Sequence, residues 1–274
     1  MKKLIGFLSI LFVLALAGCG SSASGDENKV VKIGLNGSGF PIWEKIEELA
    51  AEEGIELDLV EFADYVRPNL ALADGDVDLN AFQTVSYFDS FIEEHNLDLA
   101  PVATTLIAPM GIYSEKYEDV TNIPNGAKVA LPKEATNMGR ALLLLEAAGL
   151  IELPDDFDGN GSIEKIAANP KELDFEPIVA AQTPRVLPDV AISIINNGVA
   201  VEAGFTPVED AIFIEDDTAT PYINIIAARA EEVDNETYQK IANIYQQEVV
   251  AQHIRDVYSD SLIPTFVPLD QIGW

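Results

Sequence analysis

From Lys29 to the C-terminus, short apolar segments suited to strands alternate with amphipathic segments suited to helices, a rhythm that few architectures accommodate. Val30 to Gly34 reads as a strand. Pro41 to Glu53 carries Ile42, Ile46, Leu49 and Ala50 at helical spacing, with proline near its start and Gly54 just past its end. Ile55 to Phe62 alternates as a strand, Pro68 to Asp74 suits a short helix closed by Gly75, Val77 to Phe82 is the next strand and Ser86 to Glu94 a further helix. This β-α-β-α-β order predicts a parallel sheet with helices on both faces.

The pattern then restarts. Val102 to Leu106 and Gly111 to Ser114 are strand-like, and Thr121 to Ala127 is a turn-rich break before a second unit that opens at Lys128 to Leu131. Thr136 to Ala148 reads as a helix, Phe175 to Ala180, Val190 to Ile195, Phe213-Ile214 and Tyr222 to Ala228 as strands. A long amphipathic helix, about Glu236 to Tyr258, closes the chain with Ile241, Ile244, Val249, Ile254 and Val257 as its core stripe. The expected architecture is α/β in two lobes, each a mostly parallel sheet flanked by helices, with two crossovers near Ser114 and Ile226. The first lobe takes residues 29–113, the second 114–225, and 226–274 return to the first with the long helix.

The N-terminus is of another kind. Met1-Lys2-Lys3 is basic, Leu4 to Ala17 is uncharged and mostly aliphatic, and Leu16-Ala17-Gly18-Cys19 follows. A basic head, a short apolar run and a small-residue cleavage site form a secretory signal, here 1–18, and the run is shorter than the roughly 20 residues a spanning helix needs. Leu-Ala-Gly-Cys resembles the lipobox at which bacteria acylate the thiol and cut before it, so Cys19 is the expected lipid anchor to the membrane. It is the sole cysteine in 274 residues, which excludes an internal disulfide. Residues 19–28 read as a lipidated, flexible tether. The chain has 16 Lys+Arg against 46 Asp+Glu, a formal charge of −30, so a nucleic-acid partner is not expected. It also has only five arginines, Arg67, Arg140, Arg185, Arg229 and Arg255, so an anion site has few candidates.

Thr136 suits an N-cap, which places Gly139 and Arg140 in the first turn of the following helix. A glycine there costs helix stability and a cation there opposes the helix dipole, so the pair suggests a turn kept open and positive for an anion. An arginine fork matches a carboxylate bidentately, although a surface arginine paired with one of many acids fits the residues as well. Asn80, Asn137, Asn196 and Asn224 fall at strand or helix ends, where open α/β sheets bind ligands, and where asparagines also serve as caps. Asn224 stands out because it interrupts an apolar strand. Phe82 and Tyr87 read as core aromatics or as pocket walls. Asp156 to Gly161 echoes the start of a calcium loop, but Ala167 falls where the bidentate acid belongs, so an acidic connecting loop is expected. No metal, cofactor or enzyme activity is expected. His95 and His253 lie in charge-rich predicted helices and default to solvated positions, and neither a G-x-S-x-G elbow nor zinc spacing occurs.

Six blocks carry a family resemblance: Asp64-Tyr65-Val66-Arg67-Pro68-Asn69, Gly75 to Gln83, Thr136-Asn137-Met138-Gly139-Arg140, Gln182-Thr183-Pro184-Arg185, Ile195-Asn196 and Pro221-Tyr222-Ile223-Asn224. In this order, and over about Lys32 to Tyr245, they resemble the methionine-binding lipoproteins of bacterial ABC importers, the NlpA-type solute-binding proteins. The resemblance implies a periplasmic-binding-protein-like clamshell that closes on a small ligand, usually L-methionine, and delivers it to a permease and ATPase complex from the outer face of the cell membrane. It implies that Arg140 binds the ligand carboxylate, that Asn196 and Asn224 contact the ligand with Asn137 assisting, and that Phe82 and Tyr87 sandwich its side chain, with Gln83 and Thr84 of the same block as further ligand-binding candidates. Two departures bear on the ligand. Phe82-Gln83-Thr84 stands where the block resembles Phe-Gln-His, and Gly37-Ser38-Gly39-Phe40 with Trp43 stands where members often carry a histidine. A dipeptide or another apolar amino acid would fit a wider pocket, and a surface adhesin reusing the clamshell is the reading from a different class.

Overall fold

The computed structural model describes residues 30–216 and 220–274. The signal segment 1–18, Cys19 and the tether to residue 28 lie outside the described residues. Strand β1 (Val31–Leu35) leads through a 3-10 turn (Gly37–Gly39) into α1 (Phe40–Glu52), which starts with Pro41 in its first turn, buries Ile42, Ile46 and Ala50, and is followed by Gly54 at φ +78°. Then come β2 (Leu57–Glu61), α2 (Arg67–Asp74), β3 (Leu79–Thr84), α3 (Val85–His95) and β4 (Leu99–Ile107). The next stretch holds β5 (Gly111–Tyr113), β6 (Lys128–Pro132), α4 (Ala135–Ala147), β7 (Asp174–Ile178), β8 (Ile192–Ile195), α5 (Asn197–Glu202), α6 (Pro207–Asp210) and β9 (Phe213–Ile214). Last come β10 (Ile223–Arg229), α7 (Glu236–Tyr245), α8 (Glu248–Tyr258) and β11 (Ile263–Pro264).

Two sheets result, in the orders β11-β4-β10-β3-β1-β2 and β7-β6-β8-β5-β9. The pairs β1–β2, β1–β3, β6–β7 and β6–β8 are parallel, as the β-α-β rhythm predicts. The sheets are nevertheless mixed rather than mostly parallel: β10 runs antiparallel to both β3 and β4, β11 to β4, and β5 to both β8 and β9. Strands β5 and β10 arrive from the opposite lobe without a crossover helix, so nothing turns them into the parallel direction. The crossings also lie elsewhere than expected. Strand β5 belongs wholly to the second sheet, so the first crossing occupies residues 108–110, where Pro109 has no N–H to continue the ladder. The second falls between β9 and β10, ahead of Ile226.

Helices cover both faces of the first sheet. On one face α1, α7 and α8 enclose Ile33, Trp43, Ile46, Ile241 and Ile254; on the other α2 and α3 bury Leu72, Val85 and Phe88 against Leu99 and Ile225. The second lobe packs Leu142 and Leu145 of α4 against Val129, Leu131 and Ile192. Fully burying one such side chain contributes about 1.5–3 kcal/mol, and these cores hold each lobe without a disulfide. The expected single C-terminal helix is two, α7 and α8, broken at Gln246-Gln247, where the Gln246 side chain donates to Thr104 O on β4 at 2.8 Å. Among the described residues no helix is long and apolar enough to cross a membrane.

Candidate ligand-binding site

Between the lobes lies a narrow cleft of about 100 Å³, tighter than the roughly 300–1,000 Å³ usual for small-molecule sites. Phe82, Gln83, Thr84, Tyr87, Asn137, Arg140, Asn196 and Asn224 all line it. Of the five arginines only Arg140 does. Arg67 pairs with Asp64, Arg229 holds Leu72 O, Val77 O and Glu232, Arg255 pairs with Glu248, and Arg185 is exposed.

Arg140 sits in the second turn of α4, not the first. The helix begins at Ala135 after Glu134, so Thr136 is a buried first-turn residue and caps nothing. The guanidinium is 4% exposed and already holds an internal carboxylate: Nε donates to both oxygens of Glu215 at 2.9 and 3.1 Å, and Nη2 donates to Glu215 Oε2 and to Ala108 O at 2.9 Å. Its carbon lies 4.2 Å from the centroid of the Tyr222 ring, a cation–π contact. Burial pushes the Tyr222 phenol up to about 12, so that ring stays neutral. Ala108 belongs to the first crossing and Glu215 to the second, so one side chain of the second lobe grips both connections. Gly139 has another cause than the one expected. A Cβ there would stand 2.0 Å from Gly159 O, so the glycine lets the 156–161 loop lie backbone-to-backbone on α4. That loop is fastened by Gly161 N–H to Ala135 O at 3.4 Å and turns on Asn160 N–H to Asp158 Oδ1 at 3.0 Å.

The amides divide by lobe. Asn196 ends β8 and donates Nδ2 to Asn137 Oδ1 at 3.1 Å, which ties two candidate residues of the second lobe together. Asn224 lies on β10 of the first sheet, opposite Thr84, with Nδ2 on Leu106 O at 3.3 Å. Gln83 lines the cleft, but its amide is turned into a buried ring. It exchanges 2.7 Å bonds with Asn69 and donates to Asn80 Oδ1 at 3.0 Å. Asn80 is fully buried in that ring and does not line the cleft. Thr84, where the resemblance led to the expectation of a histidine, is the N-cap of α3 and accepts from Tyr87 N–H at 3.2 Å. This is a role threonine fills well.

The apolar wall belongs to the first lobe. Phe82 and Tyr87 meet edge-on with centroids 6.3 Å apart, and Tyr65 stacks on Phe82 at 6.0 Å while its carbonyl accepts from Tyr87 OH at 2.8 Å. Burial, and then the nearby Glu202 and Glu134 carboxylates for Tyr65 and Glu134 for Tyr87, raise both phenols far above ordinary pH, so the wall is uncharged. Tyr65 was legible only as a member of the Asp64 to Asn69 block, and Glu215 had no signal among so many acids. Asn36 and Ser38, in the atypical glycine turn, line the mouth and meet Glu202 of the opposite lobe, with Ser38 N–H to Glu202 Oε1 at 2.9 Å. Trp43 is a buried core residue against Tyr245 with centroids 5.7 Å apart. The histidines stay out of the cleft. His95 stacks on Phe91, and His253 is half-buried on Pro41 O at 2.9 Å instead of solvated.

Comparison with known proteins gives a consistent picture. The NlpA lipoprotein family profile matches residues 31–266. A protein of Vibrio cholerae named probable D-methionine-binding lipoprotein MetQ is 38% identical, over 96% of this chain and 97% of its own. A nutrient binding protein from Burkholderia cenocepacia, solved bound to methionine, superposes with a TM-score of 0.84 at 38% identity over 86% of this chain and all of that one. Protein PG110 from Staphylococcus aureus superposes with a TM-score of 0.86 at 41% identity, over 88% of this chain and 96% of its own.

Proposed function

This chain belongs to the NlpA lipoprotein family, and from that premise we propose that it is the substrate-binding lipoprotein of an ABC importer, closing on L-methionine outside the cell membrane. It is a solute-binding protein and not an enzyme. The observation that carries the ligand reading is the division of the cleft: a guanidinium and two amides, Arg140, Asn137 and Asn196, on the second lobe, and three rings, Tyr65, Phe82 and Tyr87, on the first. An amino acid has the matching halves. Its carboxylate suits the Nη1 side of Arg140, since Nε and Nη2 are held by Glu215 and Ala108 O, and a thioether gains about 0.3–1.5 kcal/mol from contact with aromatic rings. A ligand that needs both lobes binds the closed state better than the open one and shifts the population toward it. The closed form is then what a permease and ATPase complex would receive, with the protein held near the bilayer by acyl chains on Cys19 and the 20–28 tether.

Calorimetry on protein unfolded and refolded to strip any retained ligand tests this reading. L-methionine should bind at about micromolar affinity or tighter, roughly −8.2 kcal/mol, and D-methionine clearly more weakly. Thr84 leaves room where a histidine ring would stand, so a methionine-containing dipeptide is the second arm. Heat with the dipeptide alone would make the protein a peptide carrier. Silence with all three would point to an adhesin.

A further inference from the structure

The second lobe meets the glycine turn of the first through α5. Gly198 and Glu202 stand four residues apart on that helix and so share a face, and this face lies against the 3-10 turn Gly37–Gly39. A Cβ at Gly198 would stand 2.6 Å from Ser38 Oγ, so the glycine lets the turn approach and the carboxylate beyond it reaches the backbone. Ser38 N–H donates to Glu202 Oε1 at 2.9 Å and Asn36 Nδ2 donates to the same oxygen at 3.4 Å. Gly37 leaves the space for this, since a Cβ there would lie 3.3 Å from Glu202 Oε1 and 3.1 Å from Glu61 Oε1. Val201, one residue earlier on α5, packs against the core of the first lobe.

The turn is built to receive an acceptor. The first N–H groups of a helical segment have no carbonyl within it to bond, and the residue at the N-cap commonly supplies a side-chain oxygen. Asn36 holds the N-cap position here but makes no such bond, and its amide donates to Ser38 Oγ at 2.7 Å instead. From the side of α8, Tyr258 OH donates to Ser38 O and holds the residue in place. We propose that Glu202 is a closure latch, a helix cap supplied across the lobes that stabilises the closed clamshell without touching the ligand. The bond joins residues of opposite lobes, so it forms as they meet. Glu202 lies outside the lining of the cleft. It therefore acts on the balance of open and closed forms alone, and every ligand that needs closure gains by the same factor. The exposed Glu61 carboxylate flanks the same glycine, and its like charge limits the strength of the latch. The latch rests on the closing clamshell, and only the calorimetric arm of its test rests on the methionine reading.

The test reads amide exchange at Ser38 first, by NMR on wild type, Glu202→Ala and Glu202→Gln, in protein as purified and after addition of L-methionine. Glu202→Ala should exchange Ser38 faster than wild type by roughly three- to tenfold or more, the range set by a lost cap. Glu202→Gln keeps an acceptor and should lie near wild type. Equal exchange in wild type and Glu202→Ala in both samples overturns the latch, whatever the ligand proves to be. Calorimetry follows. Glu202→Ala should weaken L- and D-methionine by the same factor, roughly three- to tenfold, and Glu202→Gln should recover most of the loss. Glu209→Ala removes an equal charge from the same lobe at the exposed α6 and should bind as wild type does. A loss in Glu202→Ala that differs between the two enantiomers would mean that Glu202 acts on the ligand itself, and overturns the proposal. A protein silent to both methionines whose Ser38 protection still depends on Glu202 would uphold the latch and refute the methionine reading.

Discussion

Arg140 and Glu215 form an ion pair with 4% and 12% of their side chains exposed, and this changes what a substitution there means. Removing one partner of a buried pair strands the other charge and costs about 3–5 kcal/mol. Arg140→Ala should therefore lower the melting temperature as well as weaken methionine binding by roughly tenfold to a few-hundredfold. Arg140→Lys should recover only part of the binding, because an ammonium cannot reproduce the planar fork. Arg255→Ala, whose side chain pairs with Glu248 on α8, is the control and should bind normally. Glu215→Gln separates the two roles. It should melt earlier without ligand yet gain a larger stabilisation on saturation with methionine, since the guanidinium then has only the ligand as counter-ion. A smaller ligand-induced shift in thermal melts would mean that Glu215 serves binding by aiming the fork. Arg140 was legible from its TNMGR block. Its counter-ion was not, because the pairing joins residues 75 positions apart.

Helix starts and close backbone approaches decide the next level. Thr84 joins β3 to α3 as an N-cap, so Thr84→Ala should cost about 0.5–2 kcal/mol, read in a denaturant melt, while Thr84→Ser should stay near wild type. Gly139→Ala should be far worse than a helical Gly→Ala usually is. Alanine favours a helix by about 1 kcal/mol over glycine, but here its Cβ meets Gly159 O at 2.0 Å and must displace a backbone segment. Overpacking of this kind costs about 1–3 kcal/mol or more, and net stabilisation in the melt would show that the loop is not seated on α4. Periodicity located most elements to within two or three residues. It missed the break between α7 and α8, because no proline or glycine marks it; at the break the Gln246 side chain donates to Thr104 O, a contact no local pattern announces.

At the scale of the whole molecule, the mouth of the cleft is fitted for closure. A Cβ on Gly198 would lie 2.6 Å from Ser38 Oγ and 3.0 Å from Asn36 Nδ2, both on the opposite lobe. Gly198→Ala should leave the melting temperature of the ligand-free protein nearly unchanged, weaken methionine binding roughly tenfold by resisting closure, and reduce the compaction seen by small-angle scattering when ligand is added. Unchanged affinity would place the bound state at a wider opening than this one. Anchoring is tested apart from binding. Cys19→Ser should leave the detergent phase in a partition assay or persist as uncleaved precursor, because two or three acyl chains anchor stably where one does so marginally. No difference from wild type would refute the lipid anchor.

What the sequence by itself determined is local and periodic. The apolar rhythm specified strands and helices, Gly54 and Gly75 ended two helices, the lone cysteine ruled out a disulfide, and six short blocks specified the family and most of the cleft. Tertiary structure alone decided what depends on residues meeting across long stretches of chain. Strand direction in the mixed sheets follows from which lobe a strand arrives from. The meaning of Gly139 and Gly198 follows from a backbone and a side chain that approach from elsewhere in the molecule. Whether an asparagine is a cap, a ring member or a brace follows from the partners around it: Gln83 holds Asn80 in a buried ring, while Asn197 donates to two backbone carbonyls, Pro109 O and Ser261 O. A hydrogen bond needs both partners in place, and one position in the sequence names only one of them.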